Sequence, residues 1–412
     1  MHRSRFWRFP VLLVIAAILF SACGSDAEET PQANEGDTSE TADNNVVKIG
    51  VIAPLSGSLS ALGQGIKNSV DLAIKQANEE GKIEGWTIEL AAEDDTAKAD
   101  VGAQVATKLA SDSAVAGVVG TLNSSVATQV QPILARENIV MVSPANTGVE
   151  LTRGTDPAAP KRQFDNYYRV STTDDVQGPF AANYATKDLN AKNVVTIHDK
   201  KTYGQGLAAA FTKQFTENGG KVIAAETINP GDQDFSAVLT KIKPLNPDLI
   251  YYGGEYPEAS LLSSQAKAQG IKAPLMGGDG IYDGTYIANA KEAAEGDLCT
   301  SVGAPTDDLE SAAEFVEAYN AEDYTDPYSA YGAYAYDAAN AIIEAMAKVL
   351  EGEDELTPEL REEIVAAVGE TDMDGVTGKV SFDEFGDTTT KVLTVYKVTN
   401  QEWAAVKTDE FK

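Results

Sequence analysis

Small hydroxyl-bearing residues follow two apolar stretches of the chain, each at the point where a strand is expected to end. Ser124 lies in Gly120–Ser125 (GTLNSS), and Thr147 lies in Ser143–Gly148 (SPANTG). Hydroxyls and free backbone N–H groups at a helix start can bind a carboxylate or phosphate, but such residues can equally be ordinary N-caps. If the two strands are neighbours in one sheet, Ser124 and Thr147 lie at the same edge, and the anion site becomes as strong a hypothesis as the caps.

Two later turns offer an aromatic ring and a negative charge. Tyr203, in His198–Gly206 (HDKKTYGQG), opens a helix and either packs within it or faces a cleft. Asp279 lies between glycines in Met276–Gly280 (MGGDG) and is either a turn residue or a charge held toward a ligand. The glycines of the first turn lack the GxGxxG spacing, so a dinucleotide site is not indicated.

The elements that must position these residues are short apolar runs alternating with amphipathic stretches. Strands that are apolar at nearly every position, with helices between them, indicate parallel sheets of the α/β class. In such sheets ligands bind beyond the carboxyl ends of the strands. Helices are predicted at Ile66–Glu79, Val101–Ala110, Ala208–Glu217 and Ser260–Ala268. Strands are predicted at Val47–Ala53, Trp86–Ala91, Val115–Val119, Ile139–Val142, Tyr168–Ser171, Asn193–His198, Lys221–Ala225, Leu249–Tyr252, Pro274–Gly277, Val380–Phe382 and Lys391–Val398.

About ten such units are too many for one open sheet, so we expect two doubly wound α/β lobes with parallel central sheets. The first break between the lobes is expected near Asp165–Thr173. The tail returns to β character from Gly378. A chain that crosses between the lobes repeatedly would place the two halves around a hinge.

Six motifs in this order resemble a known family. They are IGVIAPLSG at Ile49–Gly57, GTLNSS, SPANT, HDKKTYGQG, YYGG at Tyr251–Gly254 and MGGDG. Together they resemble the leucine/isoleucine/valine-binding proteins of bacterial ABC transporters, over essentially the whole chain from Val47 on. The resemblance implies the type I periplasmic-binding-protein fold with a three-strand hinge. Lobe 1 would comprise residues 47–171 and 303–376, and lobe 2 residues 172–302 and 377–412.

The resemblance also implies roles for individual residues. Ser124 and Thr147 correspond to family residues that bind the α-carboxylate of the ligand. Ala145 corresponds to a residue whose carbonyl accepts from the α-ammonium, and Tyr203 to one that closes from the second lobe. Asp279 stands where the family often has Glu to neutralise the ammonium. Because Asp is one methylene shorter, the lobes must close further or the ligand must sit differently.

The side-chain end of the implied pocket departs from the family. Leu62, Leu122 and Tyr331 fall where the family lines an apolar pocket, but Glu255 follows the YYGG glycines where the family can have an aromatic residue. A carboxylate near an aliphatic side chain is unfavourable unless it faces water. The resemblance implies a branched-chain or other aliphatic amino acid as ligand. Because Glu255 departs from the family, a longer, polar or basic ligand side chain is the open alternative to strict leucine, isoleucine and valine specificity.

The first residues predict export. Three arginines among the first eight residues precede an apolar run at Val11–Phe20, which is typical of a signal peptide over residues 1–22 and is too short to span a bilayer. Cys23 at the junction resembles a bacterial lipoprotein signal, although Phe20 stands where that family usually has Leu. We expect an extracytoplasmic protein anchored to the membrane through a lipid on Cys23, with plain secretion as the alternative. Residues 23–46 are acidic and polar, which predicts a disordered linker.

Composition excludes several classes of function. The formal net charge of −31 over 412 residues repels nucleic acid and anionic lipid, so neither is an expected partner. Cys299 is the other cysteine and is expected to be a buried structural thiol. Asp372–Gly375 hints at a calcium loop, but Ser381 stands at the twelfth position, where Glu is required. No metal site and no cofactor are therefore expected.

The favoured function is an amino-acid receptor that serves an ABC permease, acts as a monomer and is not an enzyme. A hydrolase would need a base for Ser124 or Ser125, and the histidine that remains after the signal, His198, belongs to the other predicted lobe. The same fold could instead bind a short amide, a urea-like compound or another small carboxylate. It could also report its ligand to a membrane partner without transport.

Overall fold

Two large β-sheets, each covered by helices on both faces, and one two-stranded sheet make up residues 45–411, the part of the chain that this computed structural model describes. The predicted signal peptide, Cys23 and the predicted linker up to residue 44 lie outside the described residues. The strands are β1 Asn45–Ala53, β2 Trp86–Asp94, β3 Val115–Gly120, β4 Val140–Ser143, β5 Tyr167–Arg169, β6 Asn193–His198, β7 Lys221–Thr227, β8 Leu249–Gly253, β9 Leu275–Gly277, β10 Leu298–Val302, β11 Asp372–Gly375, β12 Gly378–Ser381, β13 Val392–Thr399 and β14 Glu402–Glu410.

Helices alternate with the strands through most of this region. They are α1 Ser60–Glu79, α2 Ala99–Ala110, α3 Ser124–Arg136, α4 Glu150–Arg153, α5 Asp174–Lys187, α6 Thr202–Glu217, α7 Ser236–Ile242, α8 Tyr256–Ala268, α9 Gly284–Ala290, α10 Ala313–Ala321, α11 Gly332–Val349 and α12 Pro358–Gly369. This alternation produces the parallel strand pairs described next.

The first sheet has five parallel strands in the order β2-β1-β3-β4-β5. Successive side chains of a strand point to opposite faces. Val51 and Val119 therefore pack in the core beside α1 and α11, whereas Ile52 and Val118 pack in the core beside α2 and α3. Every residue of β3 is buried. Burial on both faces explains why the sequence of this strand is apolar rather than alternating.

The second sheet has seven strands in the order β14-β13-β10-β9-β8-β6-β7. Its strands β6 to β10 pair in parallel, and β13 pairs antiparallel with both β10 and β14. Phe211 of α6 stacks on Tyr251 of β8 on one face. Leu262 of α8 lies in the same core as Tyr252 on the other face. The predicted fold class, two α/β lobes with parallel central sheets, is confirmed.

The chain passes between the sheets three times, after β5, after β10 and before β13. Residues from all three crossings, Thr172, Gly303 and Thr390, lie around one small cavity at this hinge. The hairpin β11–β12 spans the predicted boundary at residues 376/377. The predicted limits of the two lobes stay a prediction.

The predicted strands differ from the observed ones where tertiary contacts decide. β6 matches its prediction residue for residue, but β10, β11 and β14 were not predicted. Strand β10 is fully buried, because β9 and β13 flank it on both sides. Its sequence, LCTSV, contains polar residues and therefore did not predict a buried strand. Strand β14 is mostly exposed at the sheet edge and so carries little apolar signal.

Two further features concern classes of site. Cys299 is a free thiol buried in β10, as predicted, and burial raises its pKa well above its usual value. Among residues 45–411, no helix is long and apolar enough to cross a bilayer. The same residues contain no group of three or more His, Cys, Asp or Glu side chains placed to hold a metal ion.

Candidate functional site

A cavity with about 300 Å³ of empty volume lies between the two sheets, where the turns after β1, β3, β4, β6, β8 and β9 meet. It is lined by Leu62, Leu122, Asn123, Ser124, Ala145, Tyr203, Glu255, Asp279, Gly280 and Tyr331. Eight of the nine predicted ligand-binding residues are among them, while Thr147 is not.

One end of the cavity is built by the neighbouring strands β3 and β4. They pair in parallel, so the turns that follow them share one edge, as the anion-site hypothesis required. The N-cap of α3 is Asn123 and has no side-chain capping bond, so Ser124 is not the cap that the alternative hypothesis assumed. Ser124 Oγ instead accepts a hydrogen bond of 3.3 Å from the Gly148 N–H. This uncapped helix start leaves leading N–H groups available to an anion.

Thr147 lies beside this end rather than in the wall of the cavity. Its side chain is 1% exposed, and its hydroxyl has no hydrogen-bond partner in residues 45–411. A buried hydroxyl without a partner costs free energy, of the order of 1–3 kcal/mol. A ligand oxygen that accepted from it would remove that cost.

A buried arginine fixes the turn that carries Ala145 and Thr147. Arg169 of β5 is fully buried and donates to the carbonyl oxygens of Asn146 (3.1 Å) and Gly148 (2.8 Å). Its Nε donates to Asp387 at 2.6 Å, which neutralises its charge. Neither member of this pair was predicted from the sequence, because neither lies in a recognisable motif.

The other end of the cavity is the Asp279 carboxylate, which is 1% exposed. Oδ1 accepts from Tyr203 Oη (2.9 Å) and Gln177 Nε2 (3.0 Å), and Oδ2 accepts from Tyr331 Oη (2.8 Å). Burial raises the pKa of Asp279, and the hydrogen bonds from Gln177, Tyr331 and Tyr203 oppose that rise. A carboxylate accepts about four hydrogen bonds, so Oδ2 retains room for one further donor.

Tyr331 does more than the predicted apolar lining. It belongs to the segment before α11, on the first sheet, and its hydroxyl reaches Asp279 on the second. Burial raises the pKa values of Tyr331 and Tyr203 well above the usual value, so both stay protonated and act as donors. The two predicted aliphatic residues, Leu62 and Leu122, are buried in the cavity wall.

A second buried acid, Asp174, adds to the negative potential here. Its side chain is 1% exposed, and neither carboxyl oxygen has a hydrogen-bond partner in the described chain. Burial raises its pKa well above the usual value, and the nearby Asp279 adds to that rise. A positively charged ligand group would relieve the repulsion between these two acids.

Glu255 lines the cavity and is buried rather than turned toward water, so its charge needs partners within the protein. It is 5% exposed, and its Oε2 accepts from Lys201 Nζ at 2.5 Å. Its Oε1 accepts from Asn123 Nδ2 at 2.6 Å, a bond that joins the two lobes. Burial alone would lower the pKa of Lys201, but Glu255 and Asp199 outweigh burial and raise it. The charge of Glu255 is therefore matched within the protein.

Sequence analysis missed several residues that complete the site. Asn123 stood inside a motif that was singled out, but its neighbours drew attention as hydroxyl donors. Lys201 and Gln177 carry no signal of their own, because their roles depend on residues 54 and 102 positions away.

Known proteins resemble this chain over most of its length. A family model described as a periplasmic binding protein matches residues 46–402. A Leu/Ile/Val-binding protein from Rhizobium johnstonii is 33% identical over 354 residues, covering 85% of this chain and 91% of that protein. A Pseudomonas aeruginosa protein named for binding leucine, isoleucine, valine, threonine and alanine is 31% identical, covering 86% and 90%.

Solved structures give the same result. A branched-chain amino acid transporter substrate-binding protein from Streptococcus pneumoniae, in complex with isoleucine, matches with a TM-score of 0.78 and 30% identity, covering 89% of this chain and 100% of that one. A leucine-binding protein from Thermotoga maritima has the same TM-score and identity, covering 88% and 99%. The predicted resemblance is thus confirmed, and the chain belongs to the periplasmic binding protein family, among the substrate-binding proteins of branched-chain amino acid ABC transporters.

Proposed function

We propose that this protein captures an α-amino acid in the cavity between its lobes and delivers it to an ABC permease outside the cytoplasm. The proposal rests on one observation: the two ends of the cavity differ in chemistry. Ser124 and the uncapped start of α3 offer donors at one end, and Asp279 offers a buried negative charge at the other. Branched-chain amino acids are the first candidates, because relatives are named for binding them.

A zwitterion fits this arrangement. Its carboxylate needs hydrogen-bond donors, and its ammonium needs an acceptor with negative charge, which Asp279 and the Ala145 carbonyl would supply. Hydrogen bonds to charged groups contribute about 1.5–3 kcal/mol each. Since the two ends belong to different lobes, an amino acid would stabilise the closed arrangement through contacts that an open one lacks.

Delivery would depend on attachment to the membrane. Cys23 is proposed to carry the lipid, with the acidic segment up to residue 46 as a tether, and the body is proposed to act as a monomer. Replacing Cys23 with Ser should move the protein from the membrane fraction to the medium or periplasm. Retention in the membrane fraction would contradict the anchor without touching the proposed ligand.

No reaction is proposed at this site. The serine hydroxyl at the start of α3 has no imidazole beside it, since His198 lies at the end of β6 and accepts from the Lys200 N–H through Nδ1 at 3.1 Å. A binding protein needs no such base. Turnover of any amino-acid derivative by the purified protein would overturn this part of the proposal.

The proposal is tested by titration calorimetry of the mature protein with leucine, isoleucine, valine, threonine, alanine and urea. At least one amino acid should release heat and raise the midpoint of thermal unfolding. Absence of heat and of a thermal shift with every amino acid would contradict the proposal. Binding of urea or a short amide alone would favour the competing ligand class, which lacks the α-ammonium.

A further inference from the structure

One side-chain oxygen in the cavity wall has no hydrogen-bond partner in residues 45–411, and its chemistry indicates which kind of ligand side chain would bind there. Asn123 is 3% exposed, lines the cavity, and its Oδ1 has no hydrogen-bond partner in residues 45–411. The other side-chain oxygens of the cavity wall, those of Ser124, Tyr203, Glu255, Asp279 and Tyr331, all make hydrogen bonds. Among the side chains of these ten lining residues, Asn123 Oδ1 is therefore the acceptor without a partner.

The orientation of this amide follows from chemistry. A carboxylate can only accept hydrogen bonds, so the part of Asn123 that meets Glu255 Oε1 at 2.6 Å must be its NH₂ group. Glu255 is itself fixed by Lys201 at 2.5 Å. The carbonyl oxygen of Asn123 is thus held away from Glu255 by a chain of two hydrogen bonds, and a flip of the amide would set two acceptors against each other.

The same chain of contacts decides the charge of the group that this oxygen can accept. Lys201 bonds to Glu255 at 2.5 Å and lies 3.5 Å from Asp199, which is outside the cavity wall. The carboxylate that lines the cavity therefore already has a cation against it, and a basic ligand side chain would have to compete with Lys201 for it. An acidic side chain would set further negative charge against Asn123 Oδ1 and Glu255. A neutral donor, a hydroxyl or a primary amide, satisfies the carbonyl without either cost.

We propose that the cavity wall between Asn123 and Glu255 selects an amino acid whose side chain carries a neutral hydrogen-bond donor, which Asn123 Oδ1 accepts, over the aliphatic amino acid of the same shape. This inference rests on the proposed function and narrows it. When an aliphatic ligand is bound, the Asn123 side-chain carbonyl stays buried in the closed cavity without a hydrogen-bond donor. A ligand with a hydroxyl or amide restores the bond. Leu62 and Leu122 then pack on the carbon atoms of the side chain.

The size of the preference separates this site from an apolar pocket. A purely apolar pocket discriminates weakly between a methyl group and a hydroxyl of the same shape. A site that hydrogen-bonds the hydroxyl rejects the analogue that lacks it, because its own buried group is then left unpaired. One unpaired buried acceptor corresponds to roughly a tenfold difference in Kd.

The test measures Kd by calorimetry for pairs of amino acids with nearly equal shape: threonine and valine, asparagine and leucine, glutamine and methionine. In the wild-type protein the polar member of at least one pair should bind about tenfold or more tightly than its apolar partner. If every apolar member binds as tightly as its partner or more tightly, this inference is wrong while amino-acid binding stands. If no amino acid binds, the proposed function fails and this inference fails with it.

Two substitutions assign the preference to these atoms. Asn123→Leu should bring the two members of the preferred pair to within about twofold or reverse their order. Glu255→Gln should also abolish the preference, because its NH₂ can face Asn123, whose carbonyl then turns toward it and away from the ligand. Glu226→Gln is the matched control, since Glu226 pairs with Lys241 at 2.8 Å in the same lobe outside the cavity wall, and it should leave the ratio unchanged.

Because Asn123→Leu and Glu255→Gln test the same preference, either one is sufficient if the other folds poorly. Circular dichroism and thermal unfolding identify such a variant, and the wild-type ratio is then judged with the remaining one. A wild-type preference that survives in both folded variants would overturn the role given to Asn123.

Discussion

At the scale of single residues, Asp279 is a negative charge held where water does not reach it. Three neutral donors surround it and no lysine or arginine bonds to it in the described chain. Burial raises the pKa of Asp279 because it disfavours the ionised form. A cation that enters the cavity would stabilise that ionised form. This is the residue on which recognition of an α-ammonium would depend most.

Replacing Asp279 with Asn removes the charge and keeps the shape. We expect amino-acid affinity to fall by about tenfold to a hundredfold, because a charge-assisted hydrogen bond is lost. The unliganded protein should unfold at an equal or higher temperature, since a buried charge without a counter-ion is gone. Calorimetry and thermal unfolding check both effects, and unchanged affinity would remove Asp279 from the ligand.

The pKa of Asp279 also gives the direction of a pH effect. Only its ionised form attracts an ammonium group, and its folded pKa lies above the ordinary value. Affinity for an amino acid should therefore fall as the pH is lowered from neutral into the acid range. The Asp279→Asn variant should show a weaker pH dependence in the same titrations.

Asp95 is a second residue with a measurable pH effect, and it lies outside the cavity wall. It is fully buried, its Oδ2 has no partner in residues 45–411, and burial raises its pKa to about 7 despite a hydrogen bond from the Ala97 N–H. In the unfolded chain its pKa is about 3.9. Between these values the folded protein retains a proton that the unfolded chain has released.

The free energy of unfolding should therefore fall as the pH rises from about 4 to about 7, by up to about 4 kcal/mol from this group. In Asp95→Asn this contribution should vanish, so that the variant gains on the wild type at pH 8 relative to pH 5. Urea unfolding at the two pH values measures the difference. An equal change in stability between the two pH values for both proteins would show that Asp95 titrates normally.

At the scale of elements, the turn after β4 depends on a contact from a distant part of the chain. Arg169 of β5 bonds to two carbonyls of that turn and to Asp387, which lies between β12 and β13. The pair is buried, and Asp387 also pairs with Arg153 at 2.9 Å. Loss of Arg169 would therefore remove the donor to the turn and leave the acid its second cation. The same contact holds both the candidate carboxylate end and a segment beside the hinge.

Arg169→Met should lower the free energy of unfolding by about 1–3 kcal/mol, because the two carbonyls of the turn lose their buried donor, and should also weaken amino-acid binding. The double variant Arg169→Met with Asp387→Leu should not recover the affinity, because the turn still lacks its donor. Arg136→Met, at an exposed arginine of α3, should change stability by less than about 0.5 kcal/mol. A single variant as stable as the control would contradict the argument.

Elements also show where sequence analysis succeeds. Strands β3 and β6 were predicted closely because their own residues are apolar and their flanking turns are clear. Strand β10 was not predicted because its burial comes from pairing with β9, which lies before α9, and with β13, which follows much later in the chain. A local sequence pattern therefore predicts a strand only when its own residues are apolar, whereas burial that depends on distant partner strands leaves no local pattern.

At the scale of the whole molecule, side-chain hydrogen bonds join the lobes around the cavity. Two involve its walls, Tyr331 with Asp279 and Asn123 with Glu255. Others lie outside it: Tyr256 Oη donates to the Ser58 carbonyl oxygen at 2.5 Å, and Ser329 Oγ donates to Asp283 at 3.1 Å. These contacts belong to the closed arrangement, so they favour whichever ligand needs both lobes.

Tyr256→Phe tests this coupling without altering the cavity wall. Loss of one neutral hydrogen bond made in the closed form should weaken ligand binding by roughly twofold to tenfold. Small-angle scattering should show a larger radius for the unliganded variant than for the unliganded wild type, and a smaller difference with ligand. Tyr286→Phe, whose hydroxyl bonds to Asp297 within one lobe, should lower stability and leave affinity unchanged. Equal effects on affinity from both variants would contradict the coupling.

The α/β class and the turns that carry Ser124, Tyr203 and Asp279 could be predicted from the chain alone, because each turn follows a strand. The resemblance of six motifs to a known family implied the other five of the eight predicted residues that line the cavity. Three features needed the folded protein: Lys201 neutralises Glu255, Asn123 presents an unpaired carbonyl, and Arg169 holds the turn after β4. The reason is distance along the chain. Asn123 meets Glu255 across 132 residues and Arg169 meets Asp387 across 218, so no local pattern records either bond.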